Sequence, residues 1–541
     1  MKKTFSVLLA VLMVFTAVIP AFAAFSDYPR NRIKYPVIYI HGNAGSIVDA
    51  DENRVYDFDP TTEQIVDICK KVLPKLGKGL ITNNFDEYYD SFEEEFAKLY
   101  DKCSLDKQGN PKYGTREEKS ARDRTAKDRH SNYAQNGTFD FNYTFCLDWR
   151  LDPLYNADLL DVYIDDVMQA TGKNKVCLVS DCLGSVNILG YLGKYGHDKL
   201  YGVGMLDPVG FGCELVEDTF SGHIDLDPDA IERFVNDKFI DTVLPADFTT
   251  IFEFVRTSVE LANETGLLDG VSDLFMKTLY NRLKDELVPR LTMASYGTFL
   301  SYWGLISAGR YNETKSFIFG QPGSEKYNEY SVFIEKLDEY DRLVRQRIPE
   351  LLTSAKEDGV KLAIVAKYGS QFPCVLESAD EQCDVWVSLN YATLGATCAP
   401  VGETLSDEYI AGREALGYGK YISPDRVVDM STCLFPDNTW IQKNRIHNQA
   451  GKDDDFFRNV FAEDNITVDN SHIPQFTVYS EETQTMEIMT EENCHTETWY
   501  TDPVESKGFF CDLFGKVKAF FAKIRLWLEQ FFGLMKMLTD K

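Results

Sequence analysis

The chain has 541 residues and a formal charge of -29, from 85 acidic against 56 basic side chains. That surplus excludes nucleic acid as a partner, because phosphate is repelled by the average surface. The length allows two or more average domains, or a single α/β enzyme with long insertions.

At the N-terminus, Lys2 and Lys3 precede an apolar stretch from Phe5 to Val18, and Ala21, Phe22 and Ala23 form a small-x-small cleavage site. Residues 1–23 therefore read as a secretory signal peptide, and the protein as secreted or associated with the cell envelope. No later run reaches the roughly 18 apolar residues of a membrane span. Twelve cysteines in an exported chain permit disulfides. Nearness along the chain suggests Cys374 with Cys383 and Cys398 with Cys433. No cysteine pair has the close spacing of a structural zinc site and the seven histidines are scattered, so nothing asks for a metal or other cofactor.

Residues 24–209 read as the first part of an α/β core. The β-branched run Pro36 to Ile40 ends at His41, Gly42, Asn43, Ala44, Gly45 and Ser46. Glycines directly after a buried strand let backbone N–H groups face an incoming oxygen, as an oxyanion hole requires, although a plain strand-to-loop turn has the same composition. Residues 82–138 look like a polar insertion: from Lys107 to Arg129 basic side chains crowd together without an apolar period, as in a mobile or helical excursion on a solvated surface. Phe139 to Arg150 reads as an aromatic-rich strand. Leu159, Leu160, Tyr163, Ile164, Val167 and Met168 then recur at helical steps, which predicts a helix ending at Gly172.

The short apolar run Val176 to Val179 follows, then Ser180, Asp181, Cys182, Leu183 and Gly184, then Ile188, Leu189 and Leu192 at helical spacing. A buried strand that turns within five small residues into a helix matches the nucleophile elbow, which holds one side chain proud of the sheet. Cys182 stands at the attacking position. It reads either as a thiol nucleophile or as a small hydrophobe filling a corner. The succession of strand, helix, strand, corner and helix requires a parallel sheet with right-handed crossovers.

Tyr201 to Leu206 reads as another buried strand, reaching Asp207. Patterns from 210 to 355 are mostly helical and predict a cap over the strand ends, where ligands of open α/β sheets bind. Leu362 to Ala366 resumes the sheet in a second core part, 356–450. Residues 451–507 are polar and acidic with little period. In 508–541, Phe510, Phe514, Val517, Phe521, Ile524, Leu528, Phe531 and Met535 form one apolar stripe beside Lys516, Lys518, Lys523 and Arg525. The stripe suits an anionic membrane surface or the hydrophobic cap, and a helix packed on its own domain accounts for it equally.

The run FCLDWRLDPLYNADLLDVYIDDVMQATGKNKVCLVSDCLGS resembles the lecithin:cholesterol acyltransferase-like α/β-hydrolases, where an Asp-Trp-Arg strand precedes a helix, a Thr-Gly turn and the elbow. IHGNAGS is similar to the oxyanion loop of bacterial lipases of that superfamily. The resemblance covers roughly residues 34–60, 139–210 and 360–450. It implies the α/β-hydrolase fold, Cys182 as nucleophile, and the backbone N–H groups of Asn43 and Leu183 as the oxyanion hole. It also implies a late histidine, for which His447 is better placed than His472 or His495. Asp384, in CDVWVSLNYATLG, is preferred as the triad acid over Asp425, in SPDRVVD. Where the family elbow reads Gly-His-Ser-x-Gly, this chain has Ser180, Asp181 and Cys182. Asp181 would oppose thiolate formation unless it points to solvent, whereas the helix N-terminus and His447 would favour it.

The expected function is cleavage or transfer of the acyl group of a lipid or other apolar ester through Cys182, His447 and Asp384. The alternative is a catalytically silent hydrolase-fold protein that binds an apolar ligand or an envelope partner.

Overall fold

The computed structural model describes residues 33–42, 46–56, 62–118, 143–236, 259–260, 262–447, 454–462, 466–471, 473–480, 482–483 and 485–494. The signal peptide expected over 1–23 and the stripe expected over 508–541 lie outside them. Among the described residues no helix is long and apolar enough to cross a membrane.

Eight strands form the main sheet: β1 (Val37–Ile40), β2 (Tyr143–Phe145), β3 (Val176–Asp181), β4 (Leu200–Leu206), β5 (Lys361–Tyr368), β6 (Thr439–Lys443), β7 (Phe476–Ser480) and β8 (Thr485–Ile488). Their order is β2-β1-β3-β4-β5-β6-β7-β8, and all neighbours run parallel except β7 with β8. Parallel sheets need both faces covered, and the central strands are apolar on both. Ile38, Leu178, Val203 and Ile364 belong to one buried cluster, while Val37, Tyr39, Cys177, Val179 and Val365 belong to a second. Alternation along each strand sorts the residues between these faces.

On the first face lie the helices Pro153–Thr171 and Gly184–Tyr195. The former starts where Asp152 accepts a hydrogen bond from the Leu154 N–H at 2.9 Å, with proline at its first turn, and stops at Gly172 in the left-handed conformation as its sequence predicts. Much of the helical stretch between β4 and β5 joins the same layer. Phe333, Leu337, Val344 and Leu352 share the cluster of the sheet's first face. The later part of 210–355 is thus core as well as cover.

Three expectations are corrected. Residues 451–507 are not merely a polar segment, because the helix Asp454–Ala462 lays Phe457, Val460 and Phe461 on the second face and β7 and β8 widen the sheet. Its close approach explains two glycines in β4: a Cβ at Gly202 would meet Phe461 at 2.6 Å, and one at Gly204 would meet Phe457 at 2.5 Å. The described part of 82–138 is helical over Asp86–Tyr100, one of the two forms expected, but it is not merely a solvated excursion. Tyr100, Cys103 and Leu105 join the core, and the fully buried Arg150 donates to the carbonyls of Cys103 at 2.6 Å and Thr115 at 3.0 Å while bridging Asp148 at 2.6 Å. The basic run's remainder, 119–142, lies outside the described residues. Finally, Cys374, Cys383, Cys398 and Cys433 are free thiols, with Cys383 turned to the Ser370 carbonyl and Cys398 to that of Ala396.

If the 454–462 helix is structural, Phe457→Ala should cost about 3–5 kcal/mol of unfolding free energy. Urea denaturation followed by circular dichroism measures the loss, and a change within error would demote the helix to an appendage.

Candidate active site

The corner after β3 is built by close contact. Gly184 sits so near the end of β1 that a Cβ there would lie 2.3 Å from the Ile40 carbonyl oxygen and 3.0 Å from the Ser180 side chain. A Cβ on Gly42 would lie 2.8 Å from that of Cys182. Small residues at 42, 180 and 184 therefore let the strand turn directly into the helix. Cys182 takes the strained position, with φ of 46°, which for a residue bearing a side chain costs about 1–3 kcal/mol. It is fastened by its N–H to the Leu206 carbonyl at 3.1 Å and by its own carbonyl, which accepts from the Ser185 N–H at 3.0 Å. Ser185 Oγ also donates to that carbonyl, at 2.7 Å.

Asp181 does not point to solvent, and it has a task of its own. Its carboxylate accepts the Gly42 N–H at 2.8 Å and contacts Tyr39, so it ties the loop after β1 to the corner. Burial pushes its carboxyl up to about 6.

His447 follows β6 and Asp384 follows β5, and the structure brings the two together. Imidazole Nδ1 lies 2.7 Å from Asp384 Oδ2, and the His447 backbone N–H donates to the Asp384 carbonyl at 3.0 Å. Asp384 Oδ1 is held by the N–H groups of Trp386 and Val387, each at 3.0 Å, and the Trp386 ring lies 5.9 Å from the imidazole. The other ring nitrogen, Nε2, faces the Cys182 sulfur, near enough to interact electrostatically but off a well-formed hydrogen bond. Apo geometry of catalytic pairs is commonly loose in this way. Burial alone would lower the imidazole pKa, yet Asp384 and Cys182 together hold it well above the ordinary value. An imidazolium between a carboxylate and a sulfur is the charge state that activates a thiol.

Asp425 is elsewhere. Its carboxylate accepts from Lys443 Nζ at 2.8 Å, Tyr368 OH at 2.6 Å and Ser423 Oγ at 2.5 Å. Burial opposes its ionisation, but Lys443 and the hydroxyls hold its carboxyl below the usual range. Leu183 begins the elbow helix, where N–H groups have no intrahelical acceptor. Asn43, His472 and His495 lie outside the described residues.

Two residues escaped the sequence reading. Asp207 follows β4 with φ of 45°, and its carboxylate, that of Asp384 and the His447 ring each place an atom within 4.8 Å of the others. Lys367, in β5, is fully buried and bridges Asp207. Its signal was legible: a lysine inside the apolar strand LAIVAKY demands a buried counter-charge.

Beside the Asp384 loop is a cavity of about 530 Å³ lined by Glu214, Glu217, Asp218 and Glu381, with Arg310 and Tyr391. Burial raises the pKa of all four carboxyls, and for Glu214 the neighbouring Glu381 adds to it. Such groups bind protons more tightly folded than unfolded. Their stabilising contribution is complete below the unfolded carboxyl pKa and fades as pH rises through the raised folded values. The melting temperature should thus fall as pH rises from the ordinary carboxyl range through the raised values, and Glu214→Gln should flatten that slope. Scanning calorimetry of both proteins across this range checks it; an unchanged slope would remove Glu214 as a contributor.

No family model and no curated protein matches the chain. Among solved structures it is similar to that of the Tle4-Tli4 complex, at 13% identity over 34% of this chain and 48% of that one, with a TM-score of 0.18. It is also similar to that of Kex1(delta)p, a prohormone-processing carboxypeptidase from Saccharomyces cerevisiae, at 10% identity over 62% and 65%, with a TM-score of 0.17. The chain thus spans about half the length of the first and just under two thirds of the second. At such scores neither likeness bears on what this chain does, and the residues themselves carry the functional reading.

Proposed function

We propose that this protein is an α/β-hydrolase that cleaves or transfers the acyl group of an ester through Cys182, His447 and Asp384. The observation that carries the reading is the buried thiol at a strained strand-to-helix corner, facing an imidazole whose far nitrogen is fixed by a carboxylate. The strand order supports it too. Nucleophile, acid and histidine follow β3, β5 and β6 in that order along the chain, all at the carboxyl ends of a parallel sheet.

In the proposed cycle His447 Nε2 takes the thiol proton and the sulfur attacks the ester carbonyl. The N–H of Leu183 faces the resulting oxyanion. As the tetrahedral adduct collapses, the alkoxide leaves with the proton from His447 and a thioester remains on Cys182. Water or a second alcohol, deprotonated by His447, then attacks the thioester and releases the acid or a new ester. Asp384 keeps the Nδ1–H tautomer throughout. The apolar residues Leu183, Val209 and Phe211, clustered with Cys182, favour an apolar acyl group.

One observation favours a silent binding protein instead: Cys182 is only 4% exposed, and His447 is buried. Turnover of p-nitrophenyl esters of increasing chain length separates the two. Cys182→Ala should remove activity with little change in melting temperature, and Cys182→Ser should keep a fraction. Turnover unchanged in Cys182→Ala would assign the chemistry to another group.

For the acid, Asp384→Asn should lower kcat by about 10⁴-fold through the wrong tautomer. Asp425→Asn should instead appear in the melting temperature, since it unpairs the buried Lys443, with little change in rate per folded molecule. The reverse ranking of the two rates would transfer the role to Asp425.

A further inference from the structure

Asp207 is fully buried, yet only one of its carboxylate oxygens is used. Oδ2 accepts from the Lys367 ammonium, while no described residue hydrogen-bonds Oδ1. An unsatisfied buried carboxylate oxygen is costly. Its surroundings narrow what it is for, because one carboxylate oxygen of Asp207, one of Asp384 and a ring nitrogen of His447 lie within 4.8 Å of one another. The backbone is strained to place it there, at φ of 45° directly after β4, one strand over from the similarly strained Cys182.

We propose that Asp207 is a second carboxylate partner for the His447 imidazole, a positioning residue whose Oδ1 takes the Nδ1–H when Asp384 is not holding it. The proposal rests on the role assigned to His447 above. A hydrogen bond at about 2.8 Å requires the ring to shift or turn toward Asp207. Lys367 makes the arrangement tolerable. With its ammonium on Oδ2, two carboxylates and an imidazolium share one dry space without two uncompensated negative charges. The lysine also holds Oδ2, which leaves Oδ1 as the oxygen open to a further donor. Asp181, Cys182, Asp384 and Lys367 are the remaining charged or titratable groups that face this histidine and its partner.

Two substitutions of Asp384 distinguish a second partner from a spectator. In Asp384→Asn the amide oxygen keeps the N–H groups of Trp386 and Val387, and the amide nitrogen donates to Nδ1. That blocks the ring in the tautomer that cannot accept the thiol proton. In Asp384→Ala no amide competes, and the ring is released to Asp207. The smaller side chain should therefore do less harm than the isosteric one.

The readouts are alkylation of Cys182 by iodoacetamide between pH 6 and 9, mapped by mass spectrometry, and the downfield proton signal of a carboxylate-bound imidazole, assigned by its loss in His447→Gln. Asp384→Ala should alkylate within about tenfold of the unsubstituted protein and keep the downfield proton, whereas Asp384→Asn should be slower by about 100-fold or more. Adding Asp207→Asn with Lys367→Met to Asp384→Ala, so that no buried charge is left unpaired, should remove the proton and bring alkylation down to the Asn level. If Asp384→Ala does not fold, Asp384→Ser, whose hydroxyl serves the same N–H groups, replaces it. Equal slowing by Asn and Ala, with no downfield proton in the latter, overturns the proposal and leaves Asp207 a structural partner of Lys367. Neither readout requires ester turnover. A protein that hydrolyses no ester but shows this pattern refutes the proposed function and leaves the role of Asp207 standing.

Discussion

The site depends on how closely the end of β3 can approach the end of β1. At Gly42, Ser180 and Gly184 the two chains come within distances that leave no room for a larger side chain, and the approach forces Cys182 into its left-handed conformation. Strain of about 1–3 kcal/mol persists only where surrounding contacts over-determine it. Here those contacts are the Cys182 N–H on the Leu206 carbonyl, Ser185 on the Cys182 carbonyl, and the Asp181 carboxylate on the Gly42 N–H. The last contact gives the aspartate beside the thiol a structural task, since its carboxylate ties the loop after β1 to the corner.

Charge is the second organising constraint. Most of the core is apolar, yet ion pairs are buried at defined places: Asp148 with Arg150, Asp207 with Lys367, Asp425 with Lys443. Buried pairs are weak evidence of added stability, but breaking one leaves an uncompensated charge that costs several kcal/mol. Each therefore works as a specific tie. Arg150 fastens the 103–117 segment to the strand end at β2, and Asp425 with Lys443 fixes the loop after the Asp384 region against β5 and β6. Residues that a homologous-looking motif suggests for chemistry can thus be structural, as Asp425 is.

Local pattern made much of this legible in the sequence. The helix ending at Gly172, the strands at 176 and 201, the corner at 180–184 and the pairing of Asp384 with His447 all follow from spacing and resemblance in contiguous stretches. What stayed hidden was non-local. The helix at 454–462 is nine residues long, too short to set a clear period among acidic neighbours, and only the glycines of β4 mark where it lands. Residues 100–117 read as solvated because their charges dominate, while the few that matter, Tyr100, Cys103 and Leu105, are scattered among them. Pairing cysteines by nearness along the chain failed because neighbouring thiols turn to different carbonyls.

The carboxyl ends of four adjacent strands deliver the site's polar groups: Cys182 after β3, Asp207 after β4, Lys367 near the end of β5 with Asp384 beyond it, and His447 after β6. Adjacent parallel strands lie about 4.8 Å apart, so side chains at corresponding ends of neighbours are automatically within reach of one another. Such a row can hold two buried carboxylates only if their charges are compensated. Along this row the Asp207 carboxylate is paired with the Lys367 ammonium and that of Asp384 with the His447 imidazole. Replacing Lys367 by a neutral residue would leave two carboxylates competing for one imidazole. The lysine in β5 is what allows the row to contain two aspartates at all.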